Sequence, residues 1–168
     1  MPSHEDSTTV RAVCILRGGE SSSVYGTIHF AQMIGVDQMK VTGELRGLPV
    51  DRKLAIHVHE FGDLTNGPSS TGARFKPEGR GTSPSNDSIV HRIHAAPLHI
   101  NPDGHAKIDC VDPSLTLFGP SSIIGRSVVL TDEKDDEQHQ RRIEIDETKP
   151  SNSSATNRLA AGVIGICQ

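Results

Sequence analysis

Apolar and polar residues alternate along most of this chain, in short bursts separated by turn residues. "VRAVCILR" (residues 10–17), "VYGTIHFA" (24–31), "KVTGELRG" (40–47) and "LAIHVHEF" (54–61) follow one another at hairpin spacing. Ala12, Cys14 and Leu16 share one face of the first stretch, Val24, Ile28 and Phe30 one face of the second, and Val41 and Leu45 one face of the third. The first stretch also carries Val13 and Ile15 on its opposite face, which predicts burial against a partner as well as against the core. "NPDG" (101–104) has Pro at the second and Gly at the fourth turn position, and it joins "LHI" to "HAKIDCV", where Ala106, Ile108 and Cys110 alternate inward. "IIGRSVVLT" (123–131) and "AAGVIGIC" (160–167) complete the strands. No stretch has the period of an amphipathic helix.

Two segments follow neither period. Residues 62–97 are rich in Ser, Gly, Pro and Asn, whereas residues 132–157 begin as the charged run "DEKDDEQHQRRIEIDE" and end in a Ser/Asn cluster. Loops this long inside one domain are commonly functional, and the charged run reads either as a solvated loop or as a surface that steers a charged ligand. Paired strands with two long loops predict an antiparallel sandwich or Greek-key barrel.

Composition narrows the functional classes. A chain of 168 residues fits one domain, read as a short tail over residues 1–9 and a barrel over 10–168. Aromatic residues make up 3% and Trp is absent, so Val, Ile and Leu carry the packing. A net charge of −4 without clustered Lys or Arg argues against a nucleic-acid surface. "MPSHEDSTTV" lacks the apolar core of a signal peptide and no run reaches membrane-spanning length, so no membrane association is expected. Cys14, Cys110 and Cys167 each lie in an apolar alternating run, which reads as buried thiols in a reducing compartment, the cytoplasm by default.

The candidate chemistry begins at His57 and His59. Placed one residue apart in a strand, both imidazoles leave one face while Leu54, Ile56 and Val58 leave the other, so the stretch resembles half of a metal site. "HVHEFGD", "SIIGRSVV" and "RLAAGVIGI", in that order and spacing, resemble intracellular copper/zinc superoxide dismutase over nearly the whole chain. The resemblance implies an eight-stranded Greek-key barrel, two long loops enclosing copper and zinc, and a homodimer. In that family four histidines hold copper, one of them bridging to zinc as an imidazolate, and two further histidines and an aspartate complete the zinc site.

Carried onto this chain, His57 and His59 match the first two copper ligands. The bridging histidine of "GPHFNP" falls at Arg74 in "GARFKP", and the last copper histidine of "VVHEK" falls at Thr131 in "VLTDEK". The first zinc histidine becomes Thr82, the second is retained as His91, and the zinc aspartate becomes His94. A guanidinium keeps its proton and offers no lone pair, so Arg74 cannot ligate, and a neutral Thr hydroxyl is a poor replacement for imidazole on copper. His57, His59, His91 and His94 together remain as a residual metal set, for zinc or copper. His4, His29, His99, His105 and His139 have no ligand spacing and read as surface residues. The family's disulfide positions become Pro68 and Ala161, so residues 62–97 are expected to be more mobile than in the family. Arg158 matches the arginine that guides the superoxide anion, and Asp135 matches an aspartate linking the two metal sites.

Two functions follow from the resemblance. The first is a relative without copper-dependent dismutation that binds or regulates through a kept dimer surface of Val13, Ile15, Ile124, Gly125, Gly162, Ile164 and Ile166. Its partner would be a second copy, a genuine superoxide dismutase or that enzyme's copper chaperone. The second is an antioxidant metalloenzyme with residual dismutase activity at His57, His59, His91 and His94.

Overall fold

The computed structural model describes residues 9–20, 22–77, 98–132 and 158–168. Within them lie seven strands, all paired antiparallel in one curled sheet. Strand β1 (Thr9–Gly18) forms a hairpin with β2 (Tyr25–Met33), which pairs in turn with β3 (Met39–Arg46). The chain then crosses to the far edge for β4 (Leu54–His59) and returns to lay β5 (Ala106–Asp112) on β3. Strand β6 (Ser127–Asp132) pairs with β4, and β7 (Arg158–Cys167) closes the gap between β6 and β1. The order β4-β6-β7-β1-β2-β3-β5 is the Greek-key connectivity expected for this all-β chain.

Register follows the alternation. Cys14 lies opposite Ile28 on β2 and Ile164 on β7, and Phe30 lies opposite Val41. One-residue slips would turn this inward set to solvent, so the apolar face fixes the pairing. Leu16, Ile28, Phe30, Leu45, Ile56, Leu130 and Ile164 are fully or almost fully buried and form the barrel interior.

Several boundaries shift. The expected strand over 123–131 begins only at Ser127, because Ile123–Arg126 is a turn in which Arg126 N donates to Ile123 O at 3.1 Å. "LHI" is not a strand; Leu98 N donates to Leu54 O at 3.1 Å and its side chain tucks into the core. The "NPDG" turn forms as expected, with Gly104 at φ +74° and its N–H donating to Asn101 O at 2.9 Å. Cys14 is buried, and burial pushes its thiol up to about 12. Cys110, on the edge strand β5, and Cys167, at the end of β7, are only half-buried, and none of the three is in a disulfide. Thr9 already belongs to β1, and residues 1–8 lie outside the described residues.

One polar side chain is built into the core. Gln32 on β2 is buried; its Oε1 accepts from Leu117 N at 2.7 Å and Thr116 Oγ1 at 3.2 Å, and its Nε2 donates to Val36 O at 2.8 Å. The amide thereby ties the segment before β6 to the β2–β3 turn. Gln32→Leu keeps the volume but strands these partners, so it should lower stability by about 2–3 kcal/mol in urea denaturation. A loss within error of zero would mean that the amide is not a structural tie.

Candidate metal centre

The face of β4 that carries His57 and His59 is as buried as the face that carries Leu54, Ile56 and Val58. The segment after β4 folds back beside this strand. Glu60 N donates to Ala73 O at 2.9 Å, Phe61 N to Thr71 O at 3.0 Å, and Phe75 N to Val58 O at 2.9 Å. These bonds fold residues 60–75 back along the strand and make an antiparallel bridge between His59 and Arg74. A short 3-10 turn (Gly67–Thr71) lies inside the fold-back, and Gly72 at φ +77° ends it. A side chain at Gly72 would meet the Phe61 ring at 2.6 Å, so only glycine fits.

The Gly72 carbonyl orients His59. It lies 3.0 Å from His59 Nδ1, and since a carbonyl only accepts, Nδ1 carries the proton. In the neutral ring Nε2 then keeps its lone pair, buried and without a hydrogen-bond partner among the described residues. Burial pushes the imidazole down to about 3, against the Gly72 hydrogen bond, which favours the charged form. The positive charges of Arg158, His57 and Arg74 lower it further. His59 is thus a neutral imidazole oriented as metal-ligating histidines are, its second nitrogen held by a backbone carbonyl.

Across the sheet, Ser127 pairs with His59, Val129 with His57, and Thr131 with Ala55, so these β6 residues share the histidine face. Thr131 is buried and its hydroxyl has no hydrogen-bond partner among the described residues. Arg158 is Thr131's partner on β7. Its Nη1 donates to Pro68 O and Thr71 Oγ1, both at 2.8 Å, and its Nη2 to Gly72 O at 3.1 Å. The arginine expected to guide an anion therefore binds the fold-back. On the other side of β4, Arg126 donates to Glu60 O and Ser122 O, each at 3.0 Å, and lies 3.6 Å over the Phe75 ring. Within the segment expected to be more mobile without a disulfide between Pro68 and Ala161, these arginines bind Pro68, Thr71, Gly72 and Phe75; residues 78–97 lie outside the described residues.

The donor set fits copper poorly. His57 and His59 are in place, but the residue whose backbone bridges to His59 carries a permanent cation, and Thr131 presents a neutral hydroxyl. Among the described residues no three His, Cys, Asp or Glu side chains group as a metal site. Thr82, His91, His94 and Asp135 lie outside the described residues, as do His4 and His139. His29 and His99 are exposed as expected. His105 is not a plain surface residue: its Nε2 is shielded from solvent 3.5 Å from Glu44 Oε2, because the turn after Gly104 folds it against β3.

The proposed dimer patch divides. Ile15 is 57% and Ile166 70% exposed, Gly125 is exposed, and Val13 and Ile124 are half-buried. Gly162 and Ile164 are instead buried: the pleat turns Ile164 into the barrel opposite Cys14, and a side chain at Gly162 would meet Ile15 O at 2.2 Å. Between them Val163 emerges, 41% exposed, and Phe61 is exposed near it across Gly62.

The depressed His59 gives a pH dependence with a definite sign. The unfolded imidazole binds a proton near pH 6.5 and the folded one only near 3, so this contribution is complete above 6.5 and is lost as pH falls towards 3. Its slope approaches about 1.4 kcal/mol per pH unit. Urea denaturation should show a steeper stability loss between pH 7 and 5 for the native chain than for His59→Gln. Parallel profiles would contradict a neutral, buried His59.

Comparison with known proteins agrees with this architecture. The copper/zinc superoxide dismutase (SODC) family model matches residues 24–164. The chain is 39% identical to "Superoxide dismutase [Cu-Zn]" of Cryptococcus neoformans var. grubii, over 94% of this chain and 98% of that protein. It is 36% identical to the protein of the same name from Schizosaccharomyces pombe, with the same coverage. Barrel topology, the buried histidine pair and these matches place the chain in the copper/zinc superoxide dismutase family.

Proposed function

We propose that this chain uses the superoxide dismutase barrel without copper turnover and acts by binding through its outer surface. One observation carries the reading: Arg74, a permanent cation, is paired backbone to backbone with His59, one of the two histidines that would begin a copper site. Two fixed charges of the same sign repel strongly where water is excluded, and redox copper needs more imidazoles than His57 and His59 supply. The apolar patch of Ile15, Phe61, Val163 and Ile166 is the surface offered for pairing with a second copy. A genuine superoxide dismutase or its copper chaperone is the other partner to test. Three thiols without a disulfide suit a reducing compartment, the cytoplasm.

A second reading has its own support. Two relatives at 36–39% identity carry the name "Superoxide dismutase [Cu-Zn]", and the His59 ring is oriented as a ligand. Here His57 and His59, with His91 and His94, would hold copper or zinc, and the chain would dismutate superoxide.

Metal content by mass spectrometry and a dismutase assay, after loading with copper and zinc, separate the two. The first reading expects substoichiometric copper and no turnover above free copper; stoichiometric copper with fast turnover would establish the second. Arg74→His combined with Thr131→His should raise copper affinity at least about tenfold, the equivalent of about 1.4 kcal/mol. No gain would mean that those two residues are not what bars the metal. Light scattering should give a dimer mass, and Ile15→Asp should shift it towards the monomer; a strictly monomeric native chain that captures neither partner would end the binding reading.

A further inference from the structure

Two buried polar side chains stand opposite each other on β4 and β6. His59 and Ser127 are direct partners in the register, so they leave the same face of the sheet with Cβ atoms about 5 Å apart. His59 is 3% exposed and Ser127 is fully enclosed, and neither His59 Nε2 nor Ser127 Oγ has a hydrogen-bond partner among the described residues. Their chemistry is complementary. The Gly72 carbonyl fixes the ring proton on Nδ1, so Nε2 offers a lone pair and only accepts. The serine hydroxyl donates one hydrogen bond and accepts others. On its other flank Ser127 pairs with Val163, whose side chain has nothing polar to offer.

An acceptor stranded in the interior costs more than an ordinary hydrogen bond gains, so buried polar atoms of native proteins are nearly always satisfied by protein or by ordered water. A water with two hydrogen bonds of about 2.8 Å spans about 4.5 Å between polar atoms, the scale of a cross-strand pair. We propose that His59 and Ser127 form a binding site for one enclosed water, which donates to His59 Nε2 and accepts from Ser127 Oγ. The inference rests on the reading that no metal takes this nitrogen. Thr131, whose hydroxyl is also unpartnered among the described residues, lies four residues along β6, about 13 Å away, and belongs to no part of this site. The lone pair that would bind a metal is then already engaged, and a metal arriving at His59 has to expel the water and break its link to Ser127.

Crystals of the full chain grown in chelator, diffracting well enough to order internal waters, test the site without metal and without any assay of activity. The result expected is one enclosed water within hydrogen-bond distance of both His59 Nε2 and Ser127 Oγ. In solution, the nitrogen resonance of His59 Nε2 should move downfield in Ser127→Val, which removes the hydroxyl anchor, and keep its native position in Ser127→Thr, which retains it. A direct bond between Ser127 and His59, either atom bound by another protein group, or a gap without density would overturn the site. So would an unmoved resonance in Ser127→Val or equal movement in both variants. If Ser127→Val does not fold, the native crystal decides alone. Copper bound on His57 and His59 after metal loading would end the non-catalytic reading, while the chelator-treated crystal would still decide the water.

Discussion

The antiparallel bridge between His59 and Arg74 is the contact on which the rest of the centre depends. It folds residues 60–75 back along β4, where Thr71 and Gly72 meet the His59 ring, and His57 and His59 are both buried. Once water is excluded, a permanent positive charge beside two histidines sets the electrostatics. His59 stays neutral, the Gly72 carbonyl fixes its tautomer, and a second cation meets repulsion that solvent no longer screens. Arg74 therefore brings a fixed positive charge to the position where the resemblance places a bridging histidine.

Arginines also hold this cover in place. Arg158 gathers the carbonyls of Pro68 and Gly72 and the Thr71 hydroxyl onto β7, while Arg126 grips the start of the fold-back through Glu60 and Phe75. Charge-assisted hydrogen bonds of this kind, partly desolvated, are stronger than neutral ones. They act where Pro68 and Ala161 preclude a covalent tie, and they do not depend on the redox state of the surroundings. In this chain Arg158 has a structural task with visible partners.

Much of the fold was legible in the sequence because alternation reports the pleat directly. The inward sets of β1, β2 and β3 were readable residue by residue, and "NPDG" announced its turn. What alternation could not report was cover. Both faces of β4 are buried, yet the histidine face is polar, so the sequence pattern alone suggests an open site. The arginine network was illegible for a similar reason: Arg126 and Arg158 act on backbone carbonyls, whose positions depend on tertiary folding. Ile164 was misassigned to the surface because an apolar run of "GVIGI" hides its own pleat, and Cys14 opposite it decides which way it turns.

The decisive question is whether copper can share the interior with Arg74. Crystals grown with copper and zinc and measured at the copper absorption edge would answer this most directly. If it cannot, no anomalous peak will lie beside His57 and His59, and the Arg74 guanidinium will be ordered near them. A full-occupancy copper peak on both imidazoles, with Arg74 displaced, would contradict this expectation.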